Sequence, residues 1–196
     1  MDGVKLMNNK IVLTGATGFL GRNLVSLLLN DKDAEIFLLT RSPSCPPNLS
    51  QYANDERVHF IQGDVERPGV FLFKDREFLK KEATHILHLA ALTAFLEEER
   101  PAITKLNYHG TKHIVNFAQE CKKLENLVYI STAYAVNQMQ NKYIIYEDEI
   151  QPPIGFGNPY EETKFLAEEL VRKSKRPFSI YRPSIFAGTK LLGQMI

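Results

Sequence analysis

Tyr160 and Lys164 stand four positions apart in Asn158-Pro-Tyr-Glu-Glu-Thr-Lys164. That spacing is about one helical turn, so both side chains project from the same face of a helix. An ammonium beside a phenol stabilises the phenolate and lowers the tyrosine pKa. A phenol tuned in this way passes a proton to a carbonyl oxygen, or takes one from an alcohol, while hydride moves at carbon. Tyr-x-x-x-Lys pairs also arise by chance, so the weight falls on what precedes them. The apolar run Leu127 to Ile130 ends in Ser131-Thr132, and sites in open α/β sheets form at the C-terminal ends of strands. A hydroxyl there can hydrogen-bond a substrate carbonyl and steady the developing oxyanion. By residue type Ser131 and Thr132 qualify equally.

A second constellation binds rather than reacts. Thr14-Gly-Ala-Thr-Gly-Phe-Leu-Gly21 follows an apolar run and opens an amphipathic one. Gly15 permits a tight turn, Gly18 lets backbone approach a pyrophosphate, and Gly21 allows close helix–strand packing. Thr17, Phe19 and Leu20 complete a helix start whose free N–H groups and positive dipole end suit phosphates. The next strand ends Leu38-Leu-Thr-Arg-Ser42 and has no Asp or Glu there to hold a ribose 2′-hydroxyl. Arg41, with Ser42 beside it, can instead pair with a 2′-phosphate. The pattern therefore predicts NADP(H) rather than NAD(H), against the plain alternative of a solvated loop arginine.

These groups need a parallel sheet to hold them. Ile11 to Leu13, Glu35 to Thr40, Val58 to Ile61, Thr84 to Leu89, Leu127 to Ile130 and Phe178 to Tyr181 read as strands. Phe19 to Asn30, Ile103 to Lys122 and Tyr160 to Lys173 read as helices. The alternation predicts an α/β fold of Rossmann type, a doubly wound parallel sheet with helices on both faces. Ser42 to Arg57, rich in proline, reads as a loop or short helix. Asn137 to Asn158 is a long irregular connection of the kind that is often functional. His85 and His88 fall on a buried strand and read as packing residues.

The chain has 196 residues and a formal charge of +1. Its length suits one full α/β domain, residues 1–196, and its charge makes no case for nucleic acid or an anionic membrane. Cys45 and Cys121 are too few and too far apart for a disulfide framework or a zinc site, so no metal is expected. The polar start MDGVKLMNNK lacks an apolar secretory segment, and no stretch has the ~18 apolar residues of a spanning helix. A cytoplasmic protein is the expectation.

Taken together, these motifs resemble the extended short-chain dehydrogenase/reductase superfamily. The resemblance spans nearly the whole chain. It rests on the glycine turn, Gly63-Asp64, His88-Leu-Ala-Ala91, Asn107 with Gly110-Thr111, Ser131-Thr132, Tyr160/Lys164 and Tyr181-Arg-Pro-Ser184. It implies that Asp64 and Val65 flank the adenine and that Ala90 and Ala91 line the cofactor cleft. It also implies that Lys164 holds the nicotinamide ribose and that Pro183, Ser184 and Ile185 touch the nicotinamide. It favours Thr132 over Ser131 as the catalytic hydroxyl, gives Asn107 a backbone-fixing role, and suggests a dimer through the two long helices.

A narrower likeness lies in Gly155-Phe-Gly-Asn-Pro-Tyr-Glu-Glu-Thr-Lys-Phe-Leu-Ala-Glu168 and Tyr181-Arg-Pro-Ser-Ile-Phe-Ala-Gly188. Both look like the thioester reductase and fatty acyl-CoA reductase (male sterility-like) branch. That implies NADPH-dependent reduction of a carrier- or CoA-bound acyl thioester to an aldehyde or alcohol. Nucleotide-sugar epimerases, dehydratases and reductases share most of the motifs, and a non-catalytic NADP(H) sensor or scaffold could use the same fold. Retention of Thr132, Tyr160 and Lys164 argues against the sensor. The superfamily normally continues into a seventh strand and a substrate-binding subdomain, which would be largely absent from these 196 residues. Cofactor binding is therefore the stronger expectation and catalysis by this chain the weaker.

Overall fold

The computed structural model describes residues 9–42, 44–136, 146–147 and 155–186. Most of the long connection 137–158 lies outside them, as do residues 187–196. The described residues form a parallel sheet in the order β3-β2-β1-β4-β5-β6. Its strands are β1 (Lys10–Thr14), β2 (Glu35–Thr40), β3 (Val58–Gln62), β4 (His85–His88), β5 (Asn126–Ile130) and β6 (Phe178–Tyr181). Val12, Leu13, Ile36, Leu38 and Ile86 are fully buried, as near-continuous apolar strands covered on both faces must be.

The chain winds outward in both directions from β1. α1 (Phe19–Leu28) and a 3-10 turn at Pro47–Tyr52 cover one face, packing Val25, Leu49 and Tyr52 on Leu13, Ile36 and Leu38. α2 (Phe73–Glu82), α4 (Gly110–Glu120) and α5 (Pro159–Arg172) cover the other, packing Leu79, Ile114, Phe117, Ala167 and Val171 on Val12, Ile86 and Leu127. This is the doubly wound Rossmann-type arrangement expected. Strand order reverses between β1 and β4, which opens a crevice at their carboxyl ends.

Two elements differ from the sequence reading. α2 was not expected: its sequence FKDREFLKKE buries only Leu79, too little for a periodic apolar signal. The expected single helix from Ile103 to Lys122 runs instead from Arg100 to Glu120 in three parts. α3 (Arg100–Ile103) passes into a π-helical turn at Thr104–His109 and then into α4. Such turns inside α-helices are frequent at functional sites, and this one carries Asn107. Helix α5 starts where Pro159 and Asn158 say it should. Proline tolerates the first helical position, and the Asn158 side chain accepts the Glu161 N–H at 2.9 Å.

Candidate active site and nucleotide cleft

The turn after β1 is shaped by close approaches. Gly15 has φ +75°, and a Cβ there would lie 2.7 Å from the Ala90 backbone nitrogen. A Cβ on Gly21 would lie 2.2 Å from the Gly15 carbonyl oxygen, so α1 rests directly on the turn. Gly18 caps α1 in an extended conformation and leaves the first-turn amides without intrahelical acceptors.

In front of the turn lies a cavity of about 480 Å³. Of the residues expected to hold a cofactor, Gly15, Thr17, Gly18, Arg41, Ser42, Asp64, Val65, Ala90 and Ala91 line it. Leu39, Thr40, Gly63 and Leu106 also line it and were not anticipated. The chemistry of this lining fits a dinucleotide: a glycine turn and a helix start at one side, a guanidinium and carboxylate at the other. Leu20 and Pro183 instead line an apolar cavity of about 580 Å³ next to it, the two meeting at Leu89. Phe19 packs on Phe186 with ring centroids 6.4 Å apart. Gly21 is buried beneath the turn, while Ser184 and Ile185 lie exposed at the end of the described chain.

Tyr160 and Thr132 meet beyond the end of β5, with Lys164 one turn further along α5. Thr132 is buried at the end of β5, where its hydroxyl accepts the Tyr134 N–H at 3.3 Å. Tyr160 is partly buried, edge-on to Phe95 at 5.6 Å between ring centroids. Burial raises its pKa, and hydrogen bonding with the Thr93 and Thr132 side chains opposes the rise. This corrects the expectation of a phenol lowered by Lys164. The ammonium of Lys164 donates to the Ile130 carbonyl at 2.6 Å and lies 4.3 Å from the Tyr129 ring centroid. Lys164 is itself pushed down to about 7 by burial, against the attraction of Glu168. Ser131 is buried too, yet its hydroxyl has no hydrogen-bond partner among the described residues.

This geometry sits in a recognisable lineage. The NAD-binding family described as male sterility protein matches residues 13–195. The chain belongs to that family. The fatty acyl-CoA reductase wat of Drosophila melanogaster is 31% identical over 223 residues, covering 91% of this chain and 43% of the relative. Fatty acyl-CoA reductase 1 of Homo sapiens is 29% identical over 220 residues, covering 89% and 42%. The chain thus spans less than half the length of these curated relatives. Among solved structures, the terminal R domain from the myxalamid PKS-NRPS biosynthetic pathway superposes with a TM-score of 0.79 at 30% identity. That match covers 92% of this chain and 50% of that one. WbmG of Bordetella bronchiseptica, solved in complex with NAD, shares the fold at a TM-score of 0.74 and 20% identity, covering 92% and 54%.

In this male sterility-family chain a buried network ties cleft to helix. His88 is not a simple packing residue. Its Nδ1 meets the Thr14 hydroxyl at 2.7 Å and its Nε2 meets the Thr111 hydroxyl at 3.1 Å. Thr111 donates to the Asn107 carbonyl at 2.5 Å, so it accepts from His88, which assigns the imidazole proton to Nε2. Burial, with Lys164 nearby, pushes the His88 pKa down to about 3, keeping it neutral. Thr14 in turn accepts the Ala90 N–H at 3.2 Å. At the other end the Asn107 amide clasps the Leu92 backbone at 2.8 and 3.0 Å and reaches Thr163 of α5. Separately, Glu168 of α5 grips Arg182 through three bonds of 2.9, 3.2 and 2.8 Å, fixing the segment that presents Pro183. Little local spacing signals either network, because apart from the Thr111–Asn107 bond the partners lie 14 to 76 positions apart.

Proposed function

We propose that this chain is the nucleotide-binding and catalytic part of an NADPH-dependent reductase acting on an acyl thioester, giving an aldehyde or alcohol. The observation that carries the reading is the segment after β4, which lines the glycine-turn cleft with Ala90 and Ala91 and, two residues on, hydrogen-bonds Tyr160 through Thr93, with Thr132 on the same phenol. The family and the acyl reductase relatives support the substrate class. A nicotinamide nucleotide, when bound, supplies hydride to the acyl carbonyl carbon.

The chain's own residues do the rest. Glycine-turn amides and the start of α1 hold phosphate, and Arg41 favours a 2′-phosphate. Tyr160, kept protonated by burial, donates a hydrogen bond to the acyl oxygen, and Thr132 donates a second, steadying the oxyanion until the thiol leaves. Lys164, whose ammonium keeps two donors beyond the one given to the Ile130 carbonyl, holds the nucleotide ribose.

The test is NADPH oxidation with long-chain acyl-CoA, scored by free thiol released per NADPH consumed. One thiol per NADPH is expected where the product is the aldehyde and one per two NADPH where it is the alcohol, and Tyr160→Phe should cut the rate by about 10²-fold or more. Turnover of nucleotide sugars with no thiol release from acyl-CoA would overturn the assignment, as would an unimpaired Tyr160→Phe protein.

A further inference from the structure

An anion seat is built into the rim of the cleft, and the protein fills it with its own carboxylate. Glu66 lies in the loop after β3, where its N–H is held by the Asp64 carboxylate at 3.0 Å. The loop is tight: the Asp64 N–H returns to the Val70 carbonyl at 2.8 Å, and Val70 is held at φ +59°. A positive φ at a β-branched residue persists only where its surroundings enforce it, so Glu66 is placed by a stiff turn.

Two cations from other elements converge on this carboxylate. Arg41, at the end of β2, reaches Oε1 at 3.2 Å, and Lys105, in the π-helical turn, reaches Oε2 at 2.8 Å. Both neighbouring elements border the nucleotide cavity, through Arg41 itself and through Leu106 beside Lys105. The cation side chains are 70% and 62% exposed and the carboxylate 20%. The cations are therefore free to re-aim while the carboxylate stays put. Two cations on one carboxylate also match a phosphate monoester, which offers more oxygens and more charge to the same pair.

We propose that Arg41 and Lys105 together form the 2′-phosphate seat of the cleft and that Glu66 is its internal competitor. An incoming 2′-phosphate must draw both cations off Glu66, and the carboxylate then faces the phosphate as a like charge. Glu66 thereby lowers the preference for the phosphorylated nucleotide. The inference rests on the cleft being a nicotinamide-nucleotide site, as argued above.

The experiment is equilibrium titration of the protein with NADPH and, separately, NADH, for the wild type, Glu66→Gln and Lys105→Gln, at low and high salt. Exposed ion pairs are each worth up to about 1 kcal/mol, or about fivefold. Glu66→Gln should tighten NADPH by about three- to tenfold while changing NADH less than about twofold. Lys105→Gln, at an exposed position, should weaken NADPH by about two- to fivefold, leave NADH unchanged and flatten the salt dependence. An unchanged NADPH-to-NADH ratio in Glu66→Gln, or no NADPH loss in Lys105→Gln, overturns the inference. The outcomes separate cleanly: a wild type that prefers NADH refutes the proposed nucleotide preference alone. The ratio change in Glu66→Gln tests the competitor whichever nucleotide the wild type prefers.

Discussion

Replacing Lys164 with methionine should make the protein more stable at neutral pH while removing the ammonium from the site. Lys164 is 2% exposed, and burial takes its pKa from 10.5 to about 7. At 1.36 kcal/mol per unit this corresponds to about 5 kcal/mol that folding must spend on the charged form below pH 7. Methionine fills similar space without charge, at the cost of a donor to the Ile130 carbonyl, about 1 kcal/mol. The sign of the pH effect follows from proton counts. Between about pH 7 and 10.5 the unfolded chain holds this proton and the folded chain does not, so wild-type stability rises with pH in that window. The methionine protein lacks this contribution, and all other groups cancel between the two. Urea unfolding at pH 7.0 and 8.5 should therefore find the variant ahead at pH 7.0. Its lead should shrink by about 2 kcal/mol at pH 8.5. Parallel pH profiles for the two proteins, or a variant less stable at pH 7.0, would refute the account of Lys164 as a buried, depressed lysine.

Two further changes probe the scaffold. Gly21→Ala drives a Cβ to 2.2 Å from the Gly15 oxygen and 2.7 Å from the Ala16 Cα. Neither atom is a flexible side-chain end, so a loss of about 2 kcal/mol or more is expected, together with weakened nucleotide binding. An unchanged melting temperature would show that the turn yields. Glu168→Leu leaves Arg182 and Arg172 beside an apolar side chain in place of a carboxylate that is 1% exposed. Denaturant titration should read a loss of about 3–5 kcal/mol, partly recovered when Arg182 is also made leucine. No recovery in the double variant would break the argument.

The inner strands were legible because they are short apolar runs needing cover on both faces, as in Ile11-Val12-Leu13 and Glu35 to Thr40. The glycine turn was legible for a different reason, since its geometry is local and the residue types are dictated by φ and by contact. Helix α2 was not legible, because only Leu79 of its ten residues is buried, which leaves no apolar period to read. The lowered phenol expected of Tyr160 failed because helical spacing places Lys164 on the right face but does not say what its ammonium will bond. The Ile130 carbonyl, thirty-four positions away, captures it. Glu66 is legible only in the fold, because the strand leading to Arg41 carries no acid at its end and the sheet brings one in from the neighbouring loop.

The crevice lies over the seam where β1 pairs with β4. On one side the strands are packed by α1, on the other by α4 and α5. A molecule held by the glycine turn, by Arg41 and by residues beyond β4 and β5 touches both sides and acts as a rivet across the seam. Such a ligand stabilises the folded chain by mass action, about 2.7 kcal/mol at a hundredfold excess over its Kd. Where degradation tracks the open population, that is about a hundredfold change in exposure to proteases. The supply of nucleotide would then govern how long each copy of the protein survives as well as whether it turns over substrate.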